Sequence, residues 1–327
     1  MRSQKTRPWR TGMALGAVAT AGTLAASAPA AAQSGADGDG RVRAALEDTH
    51  IRYGDPVALR GRVADADEAP VSLLYRPVQT GEWREVDTDM TDQDGRFRLS
   101  ADALRRTGEA RVVVGRETAR AVAAGEDVAA GRSSQPALVR ILPQLHASDD
   151  GLAVRAGSSA SLRGTLRPGW EGREVTLQRD DGDGWVTLDT ATTREDGRYL
   201  LRHRRSQPGA VRVRVVFSGD QANSPATQHA GFMAFQRPVR ASWYGPGFYG
   251  RRTACGRTMS PDIEGVAHRR LACGTLVTLR HGDDTVTVPV IDRGPYAGNR
   301  ELDLARATKR DLGFGSTGRV WAAAVEE

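Results

Sequence analysis

The stretch IDRGPYAGNRELDLA, residues 291–305, carries two carboxylates in settings that could do chemistry, Asp292 and Asp303. Asp292 ends the run DTVTVPVID, in which Val286, Val288 and Val290 face one way and Thr285, Thr287, Pro289 and Ile291 the other. A carboxyl group at a strand end beside an apolar interior can hold, donate and retake a proton, as general acid-base catalysis requires. Arg293 beside it favours the charged form instead, and Asp-Arg-Gly-Pro is also ordinary turn chemistry. Asp303 stands where a helix cap would accept the first free amides of LARATKRDLGF, and Gly313 stands where that helix would stop. The two aspartates could equally form a hydrolase pair, which needs carboxyls roughly 5 to 9.5 Å apart. His268 lies between an apolar strand and two arginines, the setting of a solvated histidine or of an assisting one. Cys255 and Cys273, 18 positions apart, read as a disulfide, with zinc the weaker alternative because CxxC spacing is lacking.

These residues need a scaffold, and the chain announces one by composition and repetition. The 327 residues open with MRSQKTRPWR and an apolar, Ala/Gly-rich stretch, which predicts a secretory signal over residues 1–32, followed by a linker over 33–40. An uncleaved membrane tether is the alternative there, and no later segment reads as a span. The formal net charge of +6 falls to +2 without the signal, and 237–327 carry +4. Only Lys5 and Lys309 are lysines, an arginine bias that makes the charge weak evidence for nucleic acid. A mild basic bias at one end fits an anionic wall polymer.

VALRGRV, GEWREVDT, DQDGRFRL and ARVVV recur as ASLRGTL, DGWVTLDT, REDGRYLL and VRVRVV. Trp83 and Trp185 are 102 positions apart, as are Gly95 and Gly197. Two copies of an antiparallel β-sandwich of immunoglobulin or fibronectin type are predicted, over 41–143 and 144–236, each with about seven strands. The stretch AVAAGEDVAAG reads as a loop, both tryptophans as core anchors, and Trp170 as an exposed aromatic that could meet sugar. Neither copy clusters acids, histidines or nucleophiles, so both read as spacers or as contacts to other wall or division proteins. Pro238 reads as a strand interruption opening the last domain, 237–327, with strands at RASWYG, GVAH, TLVTLRHG, DTVTVPVID and GRVWAAAV and one helix.

ASWYGPGFYGRRTACG, GVAHRRLACGT and VPVIDRGPYAGNRELDLARATKRDLGF, in that order, resemble the double-psi β-barrel of the rare lipoprotein A (RlpA)-like proteins, which are akin to expansins. The resemblance spans residues 241–315 and leaves the sandwiches unaddressed. It implies an all-β chain ending in a six-stranded double-psi barrel with one short helix. It also implies a lytic transglycosylase that cuts peptidoglycan glycan strands lacking stem peptides, without metal or cofactor. By position it implies Asp292 as the catalytic acid, His268 as the assisting histidine and Asp303 as the aspartate that expansins require. Tyr249 and Tyr296 are expected to line a sugar groove, with Arg293, Tyr244 and Trp243 as further contacts and Trp243 mostly packing.

One departure stands out. Where many family members have Asn-Gly-Glu, this chain reads TACGRT, with Cys255 for the asparagine and Arg257 for the acid. That departure keeps open a rival reading, an expansin-like module that binds glycan without cutting it.

Overall fold

Residues 42–326, apart from 79, 103, 130 and 149–151, are described by a computed structural model. The expected signal and linker lie outside the described residues. The first copy comprises β1 (Val42–Leu46), β2 (His50–Arg52), β3 (Val57–Val63), β4 (Pro70–Pro77), β5 (Arg84–Met90), β6 (Arg96–Ala101), β7 (Gly108–Val114), α1 (Arg116–Ala123) and β8 (Ala137–Leu142). The second comprises β9 (Gln144–Ala147), β10 (Ala153–Arg155), β11 (Ser159–Arg167), β12 (Glu174–Asp180), β13 (Trp185–Thr192), β14 (Arg198–Arg204), β15 (Gly209–Phe217) and β16 (Ala226–Trp243).

Each copy packs a three-stranded sheet on a five-stranded one. The small sheets run β1-β3-β6 and β14-β11-β9; the larger run β2-β8-β7-β4-β5 and, in matching positions, β10-β16-β15-β12-β13. Alternation drives this directly: in RFRLSA of β6, Phe97, Leu99 and Ala101 are buried while the arginines face water. The cores close around Leu59, Leu73 and Ile141 in one copy and around Leu162, Leu177 and Phe235 in the other.

Three expectations change here. A helix, α1, precedes the Ala/Gly stretch and takes in its first three residues, because Ala119 and Val122 recur on one face and pack on Leu74 and Val113, while residues 124–129 remain a loop. Trp83 and Trp185 are not core anchors: Trp83 lies against that outer cluster under the Arg76 guanidinium, 4.6 Å from its ring, and Trp185 lies under Arg214 at 4.1 Å. Trp170 is covered by the guanidiniums of Arg106 and Arg173, 4.8 and 4.4 Å from its ring, instead of standing open to solvent.

Pro238 does not interrupt its strand. β16 runs from the second sandwich straight into the barrel: β15 pairs with it up to Phe235, and β21 (Thr317–Ala324) from Arg237. At Pro238 the other edge has no ladder partner, so the missing N–H breaks nothing.

The barrel adds β17 (Val266–His268), β18 (Leu276–His281), β19 (Asp284–Asp292), β20 (Leu302–Leu304) and α2 (Arg306–Asp311). Its order, β16-β20-β17-β19-β18-β21, closes as β21 returns to β16, leaving no free edge. Pairs β16–β20 and β17–β19 are parallel and the others antiparallel. Val288 and Val290 point inward with Val266, Leu279, Leu304 and Phe314. Ile291 lies on the other side, in a second cluster with Tyr244, Met259, Ala267 and Ala305.

Helix α2 is shorter than expected, and its N-cap is Ala305, without a side-chain cap. Asp303 is no cap: Leu302-Asp303-Leu304 is itself a strand, and its aspartate faces sideways across the sheet. Gly313, at φ +57, follows the last turn in the left-handed conformation that ends helices.

Candidate active site

The register sets the two aspartates in one cross-strand row, on either side of Ala267. Ala267 of β17 pairs with Asp292 of β19 on one side and Asp303 of β20 on the other; Asp303 in turn pairs with Ser242 of β16. Two interstrand spacings put the aspartate backbones about 10 Å apart. Beneath this row lies the second cluster, which includes Tyr244, 7% exposed.

Asp292 Oδ1 accepts two backbone hydrogen bonds, from Ala254 N–H and Arg293 N–H, each at 2.8 Å. No described residue donates to Oδ2, and Asp292 enters no ion pair among the described residues. The Arg293 guanidinium turns away, donating to the carbonyls of Leu271 (2.8 Å) and His268 (3.4 Å). Arg293 therefore braces the loop after β17 instead of neutralising its neighbour.

Asp303 is tied down. The Ser242 hydroxyl donates to its Oδ1, Arg300 donates to Ser242 Oγ at 2.7 Å, and the Arg300 guanidinium is 3.9 Å from the carboxylate.

The Tyr244 hydroxyl is enclosed without a protein partner among the described residues, and so is that of Tyr249. Burial pushes the Tyr244 phenol far up from its ordinary value, and the charges of Asp292 and then Asp303 push it further. Both carboxylates therefore lie within electrostatic reach of this phenol. At 7% exposure, the Tyr244 ring lies in the floor of the site. Tyr249 is half-buried on the same cluster, Tyr296 is 79% exposed, and Trp243 packs on the barrel core with the Lys309 ammonium 4.5 Å over its ring.

His268 is oriented differently from the expected partner of Asp292. Its Nδ1 accepts the N–H groups of Arg270 (3.1 Å) and Leu271 (2.9 Å), which places the ring proton on Nε2. Burial lowers its pKa; Glu301 opposes this, while Arg237, Arg293 and Arg269 add to it. Asp292 is not among the charges acting on the ring. His268 and Asp292 are joined through the backbone that Arg293 grips.

Several residues here had no sequence signal. Arg269 donates to the carbonyls of Pro295, Gly298 (3.2 Å) and Arg300 (2.9 Å), holding the loop that displays Tyr296. Glu301 pairs with Arg237 at 2.5 Å, and its hydrogen bond to that arginine lowers its pKa. Ser242 could have been suspected from its place in the matched ASWYG block, the Ala254 amide not at all. Cys255 and Cys273 are bonded to each other, so neither is a thiolate ligand for zinc.

Comparison with known proteins bears on the barrel as a domain. Residues 237–321 match the family model described as "Lytic transglycolase". A Synechocystis protein named "Probable endolytic peptidoglycan transglycosylase RlpA" is 47% identical over 81 residues, covering 24% of this chain and 25% of that protein. The "Endolytic peptidoglycan transglycosylase RlpA" of Campylobacter jejuni is 39% identical over 80 residues, covering 24% and 29%. The chain thus spans about a quarter of the length of these relatives. Among solved structures, a tetra-tandem repeat of a large adhesion protein aligns at TM-score 0.33 and 14% identity, covering 88% of this chain and 74% of that one. The Streptomyces papain inhibitor aligns at TM-score 0.24 and 18% identity, covering 28% and 94%. Likeness at that level carries no functional statement. Matched blocks, closed six-stranded barrel and family model coincide: residues 237–321 are an RlpA-like double-psi β-barrel domain of the lytic transglycosylase type.

Proposed function

We propose that the barrel cleaves peptidoglycan glycan strands as a lytic transglycosylase, with Asp292 as its acid and base. The supporting observation is the contrast between the two carboxylates on one face. Asp303 is paired with Arg300 and bonded to Ser242, whereas Asp292 is held through Oδ1 by two backbone amides alone and enters no ion pair among the described residues. One free carboxyl suits this reaction. It protonates the glycosidic oxygen, the muramyl 6-hydroxyl attacks the anomeric carbon of its own sugar, and the carboxylate takes the hydroxyl proton, leaving a 1,6-anhydro end. A hydrolase needs a second carboxylate to work on water or on the sugar, and Asp303 is tied through Oδ1 to Ser242 and Arg300.

In this reading Asp303 fixes Ser242 and Arg300, Tyr296 meets the sugar from the Arg269-braced loop, and His268 assists by shaping the turn that Arg293 anchors. The disulfide and a wall substrate together fit an exported protein of the cell envelope. The sandwiches carry the barrel away from the export site and offer surface to other wall proteins.

The test incubates the protein with intact peptidoglycan and with stem-peptide-free strands. Soluble fragments ending in 1,6-anhydro-muramyl groups are expected. Ordinary reducing ends would make it a hydrolase. Co-sedimentation with the polymer without any product would make it the non-lytic binder, with Arg257 as the suspect position.

A further inference from the structure

The segment that completes the Asp292 site makes almost all of its hydrogen bonds with itself and is otherwise seated by Met259 in the second cluster and Cys255 against the barrel core. Among the described residues, every hydrogen bond from residues 250–259 ends within residues 248–259, with one exception. Gly250 N–H donates to Met259 O, Met259 N–H to Arg251 O and Thr253 N–H to Arg257 O, while the Thr253 hydroxyl receives Arg257 N–H. The exception is Ala254 N–H on Asp292 Oδ1. No ion pair reaches out from this segment among the described residues, and only Thr253 and Met259 are buried.

The loop after β17 is anchored very differently. Gly274 N–H donates to Val290 O at 2.8 Å and Val290 N–H to Thr275 O at 2.9 Å, fastening it to the strand that ends in Asp292. Arg293 grips Leu271 O, and His268 Nδ1 gathers the amides of Arg270 and Leu271. The one covalent link from the weakly tied segment to this firmly tied loop is Cys255–Cys273, and Cys255 is the residue next to Ala254.

We propose that the Cys255–Cys273 disulfide is a positioning device for Asp292, holding the Ala254 amide on its carboxylate so that the site is assembled only in oxidised protein. The inference rests on the reading of Asp292 as the working acid. Cys273 is exposed, so a dissolved dithiol can reach the bond. Reduction moves two electrons and two protons from the dithiol to the protein, giving two cysteine thiols as the reagent closes into its own cyclic disulfide.

The experiment compares the oxidised full chain, the dithiol-reduced chain and a Cys255→Ser/Cys273→Ser variant, following amide hydrogen exchange by NMR alongside product formation. Exchange at Ala254 is expected to quicken at least about tenfold while the amides of β18 and β19 keep their protection. The kcat is expected to fall at least about tenfold with KM within about threefold, because the loss is in the chemical step. Reoxidation of the reduced chain restores both.

An unchanged Ala254 amide with kcat within about twofold of the oxidised protein overturns the proposal. So does loss of protection throughout the barrel, which would make the bond a constraint on the whole fold. Should the oxidised protein release no product at all, the proposed reaction falls by itself, and the Ala254 amide still decides whether the bond positions it.

Discussion

A buried hydroxyl without a partner usually carries a cost, and Tyr244 is such a group beneath the two aspartates. Tyr244→Phe removes the orphan and keeps the packing. Thermal stability should stay level or rise by up to about 1 kcal/mol. If the hydroxyl engages the carboxylates only when a sugar arrives, kcat should fall roughly tenfold with KM nearly constant. Melting curves and steady-state kinetics on the same variant separate the two effects.

His268 gives a second prediction. The unfolded chain protonates this histidine near its ordinary value of 6.5, while the folded site resists because burial and three arginines disfavour the cation. Between those values the unfolded state binds more protons, so stability is full above pH 6.5 and declines as pH falls. Glu301, whose folded pKa is lowered by Arg237, adds a further loss with the same sign, below its ordinary value of 4.5. Melts from pH 7.5 to 5 should show a shallower decline in His268→Gln than in the unsubstituted protein.

Among the elements, the short strands matter more than their length suggests. β17 is three residues long, yet it carries the register that sets Asp292 and Asp303 on either side of Ala267. Gly265, just before it, has φ +152, and an added Cβ there would sit 2.7 Å from the Ile291 side chain. Gly265→Ala should therefore cost about 1–3 kcal/mol by overpacking and disturb the residue that precedes Asp292. Denaturant melts measure the cost, and a larger fall in kcat than in stability would place the disturbance at the site.

What could be read from sequence follows the same logic. Long alternating runs and doubled turn glycines gave away the sandwiches and most of the barrel, because burial imposes a period on every strand. β20 escaped because three residues show no period, and so Asp303 looked like a cap. Pro238 misled because its effect depends on an edge that only the tertiary partner defines. The tryptophans misled because a ring covered by an arginine and a ring in a core have the same local pattern. The strand-end position of Asp292 was legible from the alternation of DTVTVPVID; the Ala254 amide that meets it was not, since a backbone donor leaves no residue type behind.

At the scale of the molecule, the barrel is fastened to its neighbour instead of hanging from it. β16 belongs to both, and the buried Gln236 at the crossing donates to Thr278 O and accepts from Arg280. Arg205 and Glu326 close the same junction from outside, beside the packed alanines Ala210, Ala234 and Ala323. Between the two sandwiches, Arg173, 5% exposed, donates to Asp220, Asn223 and the Pro168 carbonyl, while Asn223 donates to Arg105 O. Arg173→Met leaves those acceptors unpaired. The loss should be about 2–3 kcal/mol, because Asp220 is partly solvated and regains water. It should appear in urea melts of the full chain while the product rate at moderate temperature stays the same, as expected if the sandwiches carry the barrel without joining the chemistry.

The central claim is that Asp292 supplies the proton and that the sugar's own hydroxyl, in place of water, takes the anomeric carbon. Mass analysis of the products formed from stem-peptide-free glycan strands in water enriched in oxygen-18 tests both halves at once, with the Asp292→Asn protein alongside. The account predicts anhydro ends free of the heavy oxygen from the unsubstituted protein and none from the variant. Heavy oxygen at the new ends, or undiminished product from Asp292→Asn, would contradict it.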